Sequence, residues 1–191
     1  MIDIVQIDQA LTLWINKLDT PALYPLWLAL SDAKIWFPAY AIIMGFIIWK
    51  LGWKKGILVS LSLILCVVLT DQLSGVVKAS VARLRPCYNT WMIENGVIMP
   101  YGPTGHFYGF FSSHASNVFG FAATTTLGLS LNGKPVPAYA WGVYIWASFV
   151  SLSRIMMAAH FLGDVIVGVL FGLIMGSAVA YLTHLLIKAW K

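Results

Sequence analysis

The chain has 191 residues, of which 60% are hydrophobic and only 10% are charged, and its mean hydropathy is +0.81. A soluble domain usually carries about 25% charged residues, so the composition excludes an ordinary soluble protein and indicates an integral membrane protein. The length fits a single domain over residues 1–191. The net charge of +5 forms no continuous basic stretch, which excludes a nucleic-acid partner.

The N-terminal segment, residues 1–33, is predicted to lie at the membrane surface. Apolar residues recur at helical spacing over residues 4–18, and Asp8, Asn16 and Lys17 interrupt them. This pattern predicts an amphipathic helix in the membrane interface. Residues 23–30 are apolar but too few to cross alone, because a bilayer core needs roughly 20 apolar residues.

Five longer apolar segments follow. They cover residues 35–51, 56–77, 115–131, 137–152 and 161–187. Trp53 and the lysines around it are typical of a membrane–water boundary, and residues 132–135 are typical of a tight turn. We therefore expect an all-α fold, a polytopic membrane helical bundle of five to six transmembrane helices with an N-terminal interfacial amphipathic helix.

Three short motifs within residues 78–164 contain most of the unusual polar residues. They are KASVARLRP at 78–86, FSSH at 111–114 and SRIMMAAHFLGD at 153–164. A charged side chain within hydrocarbon costs at least about 3 kcal/mol, so a membrane protein retains it where it has a partner or lines a wet site. Five spans place all three motifs on the same face of the membrane.

The third motif combines an imidazole, a carboxylate and a guanidinium. His160 and Asp164 are four residues apart, a spacing that predicts one shared face of a helix. A carboxylate that holds the Nδ1 proton leaves Nε2 free as a nucleophile, and Arg154 is suited to grip two phosphate oxygens beside it. The alternative is that His160 and Asp164 form a buried pair that ties helices together.

The other two motifs also carry groups that are suited to binding an anion. Ser112, Ser113 and His114 lie where a helix is expected to begin, and free backbone N–H groups there bind anions. Lys78 and Arg85 are seven residues apart, which predicts one helix face ending at Pro86. The alternatives are an ordinary serine cap and a basic patch that binds anionic lipid head groups.

Taken together, the motifs supply each group that phosphoryl transfer requires. Cations neutralise the phosphate oxygens, one histidine attacks in line, and the other protonates the leaving group. The seven acidic residues form no cluster in the sequence that would hold Mg²⁺. We therefore expect a mechanism that uses no metal and no cofactor.

The spacing of these motifs resembles the signature of the type 2 phosphatidic acid phosphatases, K-x6-RP, PSGH and SR-x5-H-x3-D. That superfamily also includes glucose-6-phosphatase and the vanadium haloperoxidases. The first and third motifs match at full spacing, whereas Phe111 and Ser113 replace the Pro and Gly of the second. The helical pattern around the motifs fits the family too.

The resemblance implies a role for each matching residue. His160 would attack phosphorus to form a phosphohistidine, Asp164 would orient it, and His114 would protonate the leaving group and later activate water. The phosphate would be bound by Lys78, Arg85, Ser112 and Arg154, with help from the backbone N–H of Ser113.

The loop after the first motif is expected to meet the lipid head group. The candidates for this contact are Arg83, Tyr88, Tyr101 and His106, and the alternative for Arg83 is that it only flanks the membrane. The resemblance implies a bacterial lipid phosphate as substrate, with a polyprenyl diphosphate such as undecaprenyl pyrophosphate or a phospholipid monoester favoured. The competing interpretation is a catalytically weak membrane protein that binds anionic lipid or transports a phosphorylated solute.

The distribution of lysine and arginine predicts the orientation. If the motif cations serve a ligand and are discounted, the turn lysines dominate, and the positive-inside rule places those turns in the cytoplasm. The lysines concerned are Lys50, Lys54, Lys55, Lys134, Lys188 and Lys191. We therefore expect a multi-pass protein of the inner (cytoplasmic) membrane with its active site facing the periplasm or exterior; the oligomeric state stays open.

Overall fold

The structure is a computed structural model that describes residues 3–131 and 133–189. Within those residues the chain forms eight α-helices. They are α1 (Ile4–Asn16), α2 (Tyr24–Ser31), α3 (Phe37–Leu51), α4 (Trp53–Val81), α5 (Thr90–Glu94), α6 (Ser113–Leu129), α7 (Pro137–Met156) and α8 (Leu162–Ala189). The expected all-α membrane bundle is confirmed.

Helices α3, α4, α6, α7 and α8 correspond to the five predicted spans. In the described part of the chain, three segments are long and apolar enough to cross a membrane: Ala33–Leu51, Trp53–Val81 and Leu162–Ala189. Helix α6 packs against α4, α7 and α8 and is largely buried among them. Of the predicted turn at 132–135, Asn132 lies outside the described residues.

The first motif does not form one helix, contrary to the prediction. Helix α4 ends at Val81, and Ala82 adopts a left-handed conformation with φ of 51°. The chain then runs extended beside the segment before α6, where Arg85 N donates to Phe107 O at 2.9 Å and Gly109 N donates to Arg83 O at 2.8 Å. Arg85 therefore reaches the site from a loop and does not share a helix face with Lys78.

Helices α6 and α8 approach each other through glycine. Gly168, Gly172 and Gly176 recur every four residues on the α8 face that meets α6. A Cβ atom at Gly168 would lie 2.6 Å from the carbonyl oxygen of Ser112, so the backbones are in contact there. This packing places the first turns of both helices side by side, and Ser112 N donates to Asp164 O at 3.0 Å.

Helix α1 is amphipathic as predicted, but its polar face is directed toward the protein. Thr12 and Asn16 have no exposed surface, whereas Ile4 and Trp14 on the opposite face are 80% and 63% exposed. The apolar face is the one left for the membrane, because the polar face is occupied by hydrogen bonds to the bundle.

We predict that Gly172→Val destabilises the bundle by about 1–3 kcal/mol, because the added side chain overlaps the backbone of α6 at Ser116 and Gly120. Thermal unfolding in detergent measures the effect. Gly142→Val in α7 is the matched control, since a Cβ atom there meets nothing within 4 Å. Equal destabilisation by the two variants would contradict close α6–α8 packing as the cause.

Candidate active site

The three motifs meet in a cavity of about 810 Å³ at one end of the bundle. Helix α4 contributes Lys78, the loop after it contributes Arg85, and helix α7 contributes Arg154. Ser113 and His114 enter from the first turn of α6. His160 enters from the segment between α7 and α8, so the prediction that it shares a helix with Asp164 is wrong, because α8 begins only at Leu162. The polar end of the cavity is thus assembled from residues distant in sequence.

His160 and Asp164 face each other in the buried wall of this cavity. His160 Nδ1 lies 3.6 Å from Asp164 Oδ2, and the two residues are 2% and 0% exposed. That separation is longer than a hydrogen bond, as is common for catalytic pairs before substrate binds. Because Nδ1 faces the carboxylate, Nε2 is the ring nitrogen on the far side.

Asp164 is fixed by two further contacts. Its Oδ2 accepts a hydrogen bond from Phe161 N at 3.0 Å, and its Oδ1 accepts one from Arg83 at 2.6 Å. A buried carboxylate with a charged partner and a backbone donor is held in one orientation. The arrangement suits a carboxylate that orients the imidazole of His160.

Arg154 and Arg85 form a cationic wall of the cavity. Both are only 8% exposed, and within the described residues the buried Nε atom of Arg154 has no hydrogen-bond partner. Arg85 donates from Nε to the Tyr108 carbonyl at 3.2 Å, which positions its guanidinium at the cavity. Two buried guanidinium groups so placed suit the oxygens of a phosphate.

Burial and these cations keep His160 neutral. Desolvation, and then the charges of Arg154, Arg85 and Lys78, lower its pKa well below the ordinary value. Burial also lowers the pKa of Arg85, although a guanidinium remains charged at neutral pH. A neutral imidazole beside fixed cations is the form that acts as a nucleophile.

The departures of the second motif alter the site. Ser112 is buried and caps α6, its Oγ accepting from Ala115 N at 3.4 Å. Ser113, in the position of the glycine of the motif, places a hydroxyl 2.6 Å from Ser74 Oγ, and Lys78 Nζ donates to the same hydroxyl. The sequence prediction considered only the backbone N–H of Ser113 and missed this contact.

His114 is held by a helix that the sequence prediction did not connect to the site. Its Nε2 lies 3.1 Å from the carbonyl oxygen of Ser31, at the end of α2. Because a carbonyl only accepts, Nε2 carries the hydrogen in this contact and Nδ1 is the remaining nitrogen. The Ser31 hydroxyl lies 2.9 Å from Ser153 Oγ, so α2 is attached to α7 beside the third motif.

The expected head-group residues separate in the structure. His106 lines the cavity, whereas the Tyr88 hydroxyl donates to Gly105 O at 3.3 Å and Tyr101 is 49% exposed away from the cavity. Arg83 differs most from expectation, because its two terminal nitrogens bind the carboxylates of Asp8 and Asp164 at 2.6 Å each. Arg83 therefore pairs with two carboxylates and is not free to contact a head group.

Asp71, two turns before Lys78, accepts a hydrogen bond from Asn117 at 3.4 Å, while Lys78 contacts Ser74 and Ser113. Throughout residues 3–131 and 133–189, no three His, Cys, Asp or Glu side chains form a group suited to a metal ion.

Comparison with known families agrees with the resemblance that the three motifs indicate. The sequence profile of the PAP2 superfamily matches residues 59–188. The chain belongs to the PAP2 superfamily. It is similar to the lipid A 4'-phosphatase of Porphyromonas gingivalis, with 29% identity over 177 residues, covering 92% of this chain and 72% of that protein. It is also similar to the lipid A 4'-phosphatase of Bacteroides thetaiotaomicron, with 26% identity over 179 residues, 93% of this chain and 77% of that protein.

Two solved structures share the fold. A PAP2 type phosphatidylglycerolphosphate phosphatase from Bacillus subtilis superposes with a TM-score of 0.70 and 19% identity, over 98% of this chain and 88% of that one. Aquifex aeolicus LpxE superposes with a TM-score of 0.68 and 21% identity, over 89% and 92%. The chain is therefore a PAP2 membrane lipid phosphatase, a phosphomonoester hydrolase.

We predict that acid destabilises the folded protein through His160. Its folded pKa is below the ordinary 6.5, so the unfolded chain binds a proton that the folded protein excludes, and stability is lost as the pH falls below about 6.5. Each pH unit below that value costs at most about 1.4 kcal/mol. Unfolding at pH 7.5 and 5.5 measures the loss, which His160→Gln should reduce.

The control for this pH effect is His106→Gln, which replaces an exposed histidine at the same cavity. It should retain the wild-type difference between pH 7.5 and pH 5.5. An unchanged difference in His160→Gln would contradict a buried neutral imidazole.

Proposed function

We propose that this PAP2 phosphatase hydrolyses a lipid phosphomonoester through a phosphohistidine at His160, without a metal ion. The observation that carries the proposal is a single cavity with a cationic, imidazole-lined end and an apolar end. The cationic end suits the phosphate, and the apolar end suits an acyl chain.

The apolar end of the cavity lies between α3 and α4. Its walls include Phe37 and Met44 from α3 and Ile64 and Val68 from α4, and the last two are about half exposed on the outer surface of the bundle. Ile64 precedes Lys78 by fourteen helical residues, which is about 21 Å along α4. A lipid whose phosphate reaches Lys78 therefore has room for an acyl chain between these helices.

The proposed reaction has two steps. The Nε2 atom of His160 attacks phosphorus while the ester P–O bond breaks, and His114 starts as the imidazolium and passes its Nδ1 proton to the leaving oxygen. Lys78, Arg85 and Arg154 hold the phosphate oxygens, whose charge they neutralise in the transition state. A water molecule then attacks the phosphohistidine, His114 accepts its proton, and inorganic phosphate leaves with His160 restored.

We favour a monoester on a sugar head group, as in lipid A, over a polyprenyl diphosphate. The support comes from the two curated relatives, which are named lipid A 4'-phosphatases. Asp71 also supports a monoester. Its carboxylate lines the cavity about 10 Å along α4 from Lys78. The second phosphate of a diphosphate would lie toward this carboxylate and be repelled. The sequence alone had favoured a polyprenyl diphosphate or a phospholipid monoester.

We also propose that the active site faces the periplasm or exterior of the inner membrane. The supporting argument is the positive-inside rule applied to the turn lysines. Arg83 is paired with Asp8 and Asp164, which supports discounting it as a topological signal.

We predict metal-independent release of phosphate from a 4'-phosphorylated lipid A, tested beside phosphatidic acid and undecaprenyl pyrophosphate. EDTA should leave the rate unchanged. His160→Ala should lower kcat at least about 10³-fold, because the nucleophile is lost, and His114→Ala about 10²–10⁴-fold. Rapid quenching with ³²P-lipid should trap acid-labile, base-stable label on the wild-type protein and none on His160→Ala.

The control for these variants is His184→Ala, which removes a histidine near the opposite end of α8 and should retain wild-type kcat. Full activity in His160→Ala would contradict the phosphohistidine. Absence of hydrolysis of every lipid by the wild type would favour the lipid-binding or transport interpretation.

We predict that a membrane-impermeant maleimide labels Glu94→Cys in intact spheroplasts but labels Lys134→Cys only after lysis. Both positions are exposed, and they lie at opposite ends of the bundle. Wild-type protein gives the background, since Cys66 and Cys87 are buried. The reverse labelling pattern would place the active site in the cytoplasm.

A further inference from the structure

The inner face of helix α1 carries three polar residues spaced four apart, and each binds the backbone of the third motif. Gly163 N donates to Asp8 Oδ1 at 2.8 Å, and Leu162 N donates to Thr12 Oγ1 at 2.9 Å. Asn16 Nδ2 donates to the carbonyls of Ile155 and Met156 at 3.1 and 3.2 Å. These bonds attach both ends of the segment that carries His160 to α1.

Asn16 joins a second segment to the same helix. Its Nδ2 also lies 3.1 Å from the Ile98 carbonyl, and its Oδ1 accepts from Ile98 N at 2.7 Å. The side chain has no exposed surface. Because a buried amide is costly unless its groups are satisfied, this residue is built into the structure and is not incidental.

Asp8 extends the contact from the backbone to the catalytic carboxylate. Its Oδ2 pairs with one terminal nitrogen of Arg83 at 2.6 Å, and the other terminal nitrogen of Arg83 pairs with Asp164 Oδ1 at 2.6 Å. The guanidinium also lies over the ring of Phe161, 4.1 Å from its centroid. The chain Asp8–Arg83–Asp164–His160 therefore links α1 to the nucleophile through side chains alone.

Gly163 gives independent evidence that the Asp8 carboxylate packs closely against the first turn of α8. A Cβ atom on Gly163 would lie 2.8 Å from Asp8 Oδ2 and 3.2 Å from its Cγ. The close approach of the carboxylate to the first turn of α8 thus requires a residue without a side chain. The segment between His160 and Asp164 therefore contacts α1 through two backbone N–H groups and through the space left by Gly163.

We propose that Asp8 is a positioning residue for the phosphatase reaction, acting through Arg83 on Asp164. The inference rests on the proposed function, in which Asp164 orients the nucleophile His160. It goes beyond the family assignment, since the PAP2 profile begins at residue 59 and α1 lies outside it.

The physical reason is that Asp164 holds only one of the two terminal nitrogens of Arg83. The Arg83 side chain is 23% exposed, and a guanidinium with a single carboxylate partner retains freedom to rotate toward water or toward the phosphate. Asp8 fixes the second nitrogen and so fixes the line from Arg83 to Asp164. Small displacements of a catalytic group lower the rate strongly while changing substrate binding little.

The test compares Asp8→Asn with Asp3→Asn in steady-state kinetics and single-turnover phosphoenzyme formation. Asparagine at position 8 still accepts from Gly163 N but presents an amide to Arg83. We expect kcat per folded enzyme to fall roughly 10- to 100-fold, as when groups that orient a histidine are removed, with KM within about threefold of wild type. Asp8→Glu should recover part of the loss.

Asp3→Asn is the matched control because it removes the same charge from the same helix. Asp3 caps α1 through a hydrogen bond to Val5 N, a role that asparagine performs equally well. It should retain wild-type kcat. A double-mutant cycle with Arg83→Gln completes the design, since Asp8→Asn should have little further effect once Arg83 is gone.

The outcomes separate this inference from the proposed function. Equal kcat in Asp8→Asn and Asp3→Asn, or a purely additive cycle with Arg83→Gln, would overturn the positioning role alone. A wild type without lipid phosphatase activity would overturn both. If Asp8→Asn does not fold, Gly163→Ala replaces it, because a Cβ atom there displaces the Asp8 carboxylate; unchanged kcat in that variant would overturn the role.

Discussion

A fully buried carboxylate, Asp164, is the charge on which this end of the bundle depends. Burying a carboxylate is expensive unless it is paired and hydrogen-bonded, and the neutral His160 beside it supplies no positive charge. Arg83 and the backbone N–H of Phe161 meet that requirement. The other terminal nitrogen of Arg83 pairs with Asp8, and this pair joins α1 to the segment that carries His160.

The second constraint is the close packing of α6 on α8. The glycine stripe on α8 lets the two backbones touch, so the first turns of these helices lie together at one end of the bundle. That contact places Ser112, Ser113 and His114 beside Asp164 and opposite Lys78 on α4. The same bundle leaves an apolar gap between α3 and α4, so a cationic end and an apolar end belong to one cavity.

Several residues of the site followed from the sequence, and others did not. Lys78, Arg154 and His160 were predicted because each is a polar residue in an apolar chain and lies in a short motif of recognisable spacing. The prediction that Lys78 and Arg85 share a helix was wrong, because Ala82 turns left-handed and ends α4 before Arg85. The hydroxyl of Ser113 on Lys78 and the carbonyl of Ser31 on His114 were missed, since both contacts join different helices.

The sequence by itself determined the class of protein and which polar residues meet in its cavity. Apolar runs, their polar interruptions and the spacing of the three motifs are local properties that survive in any arrangement of the helices. Only the tertiary structure decided what α1 does and what Arg83 binds. Asp8 and Arg83 are separated by 75 residues, and no periodicity in either segment encodes the packing that brings them within 2.6 Å.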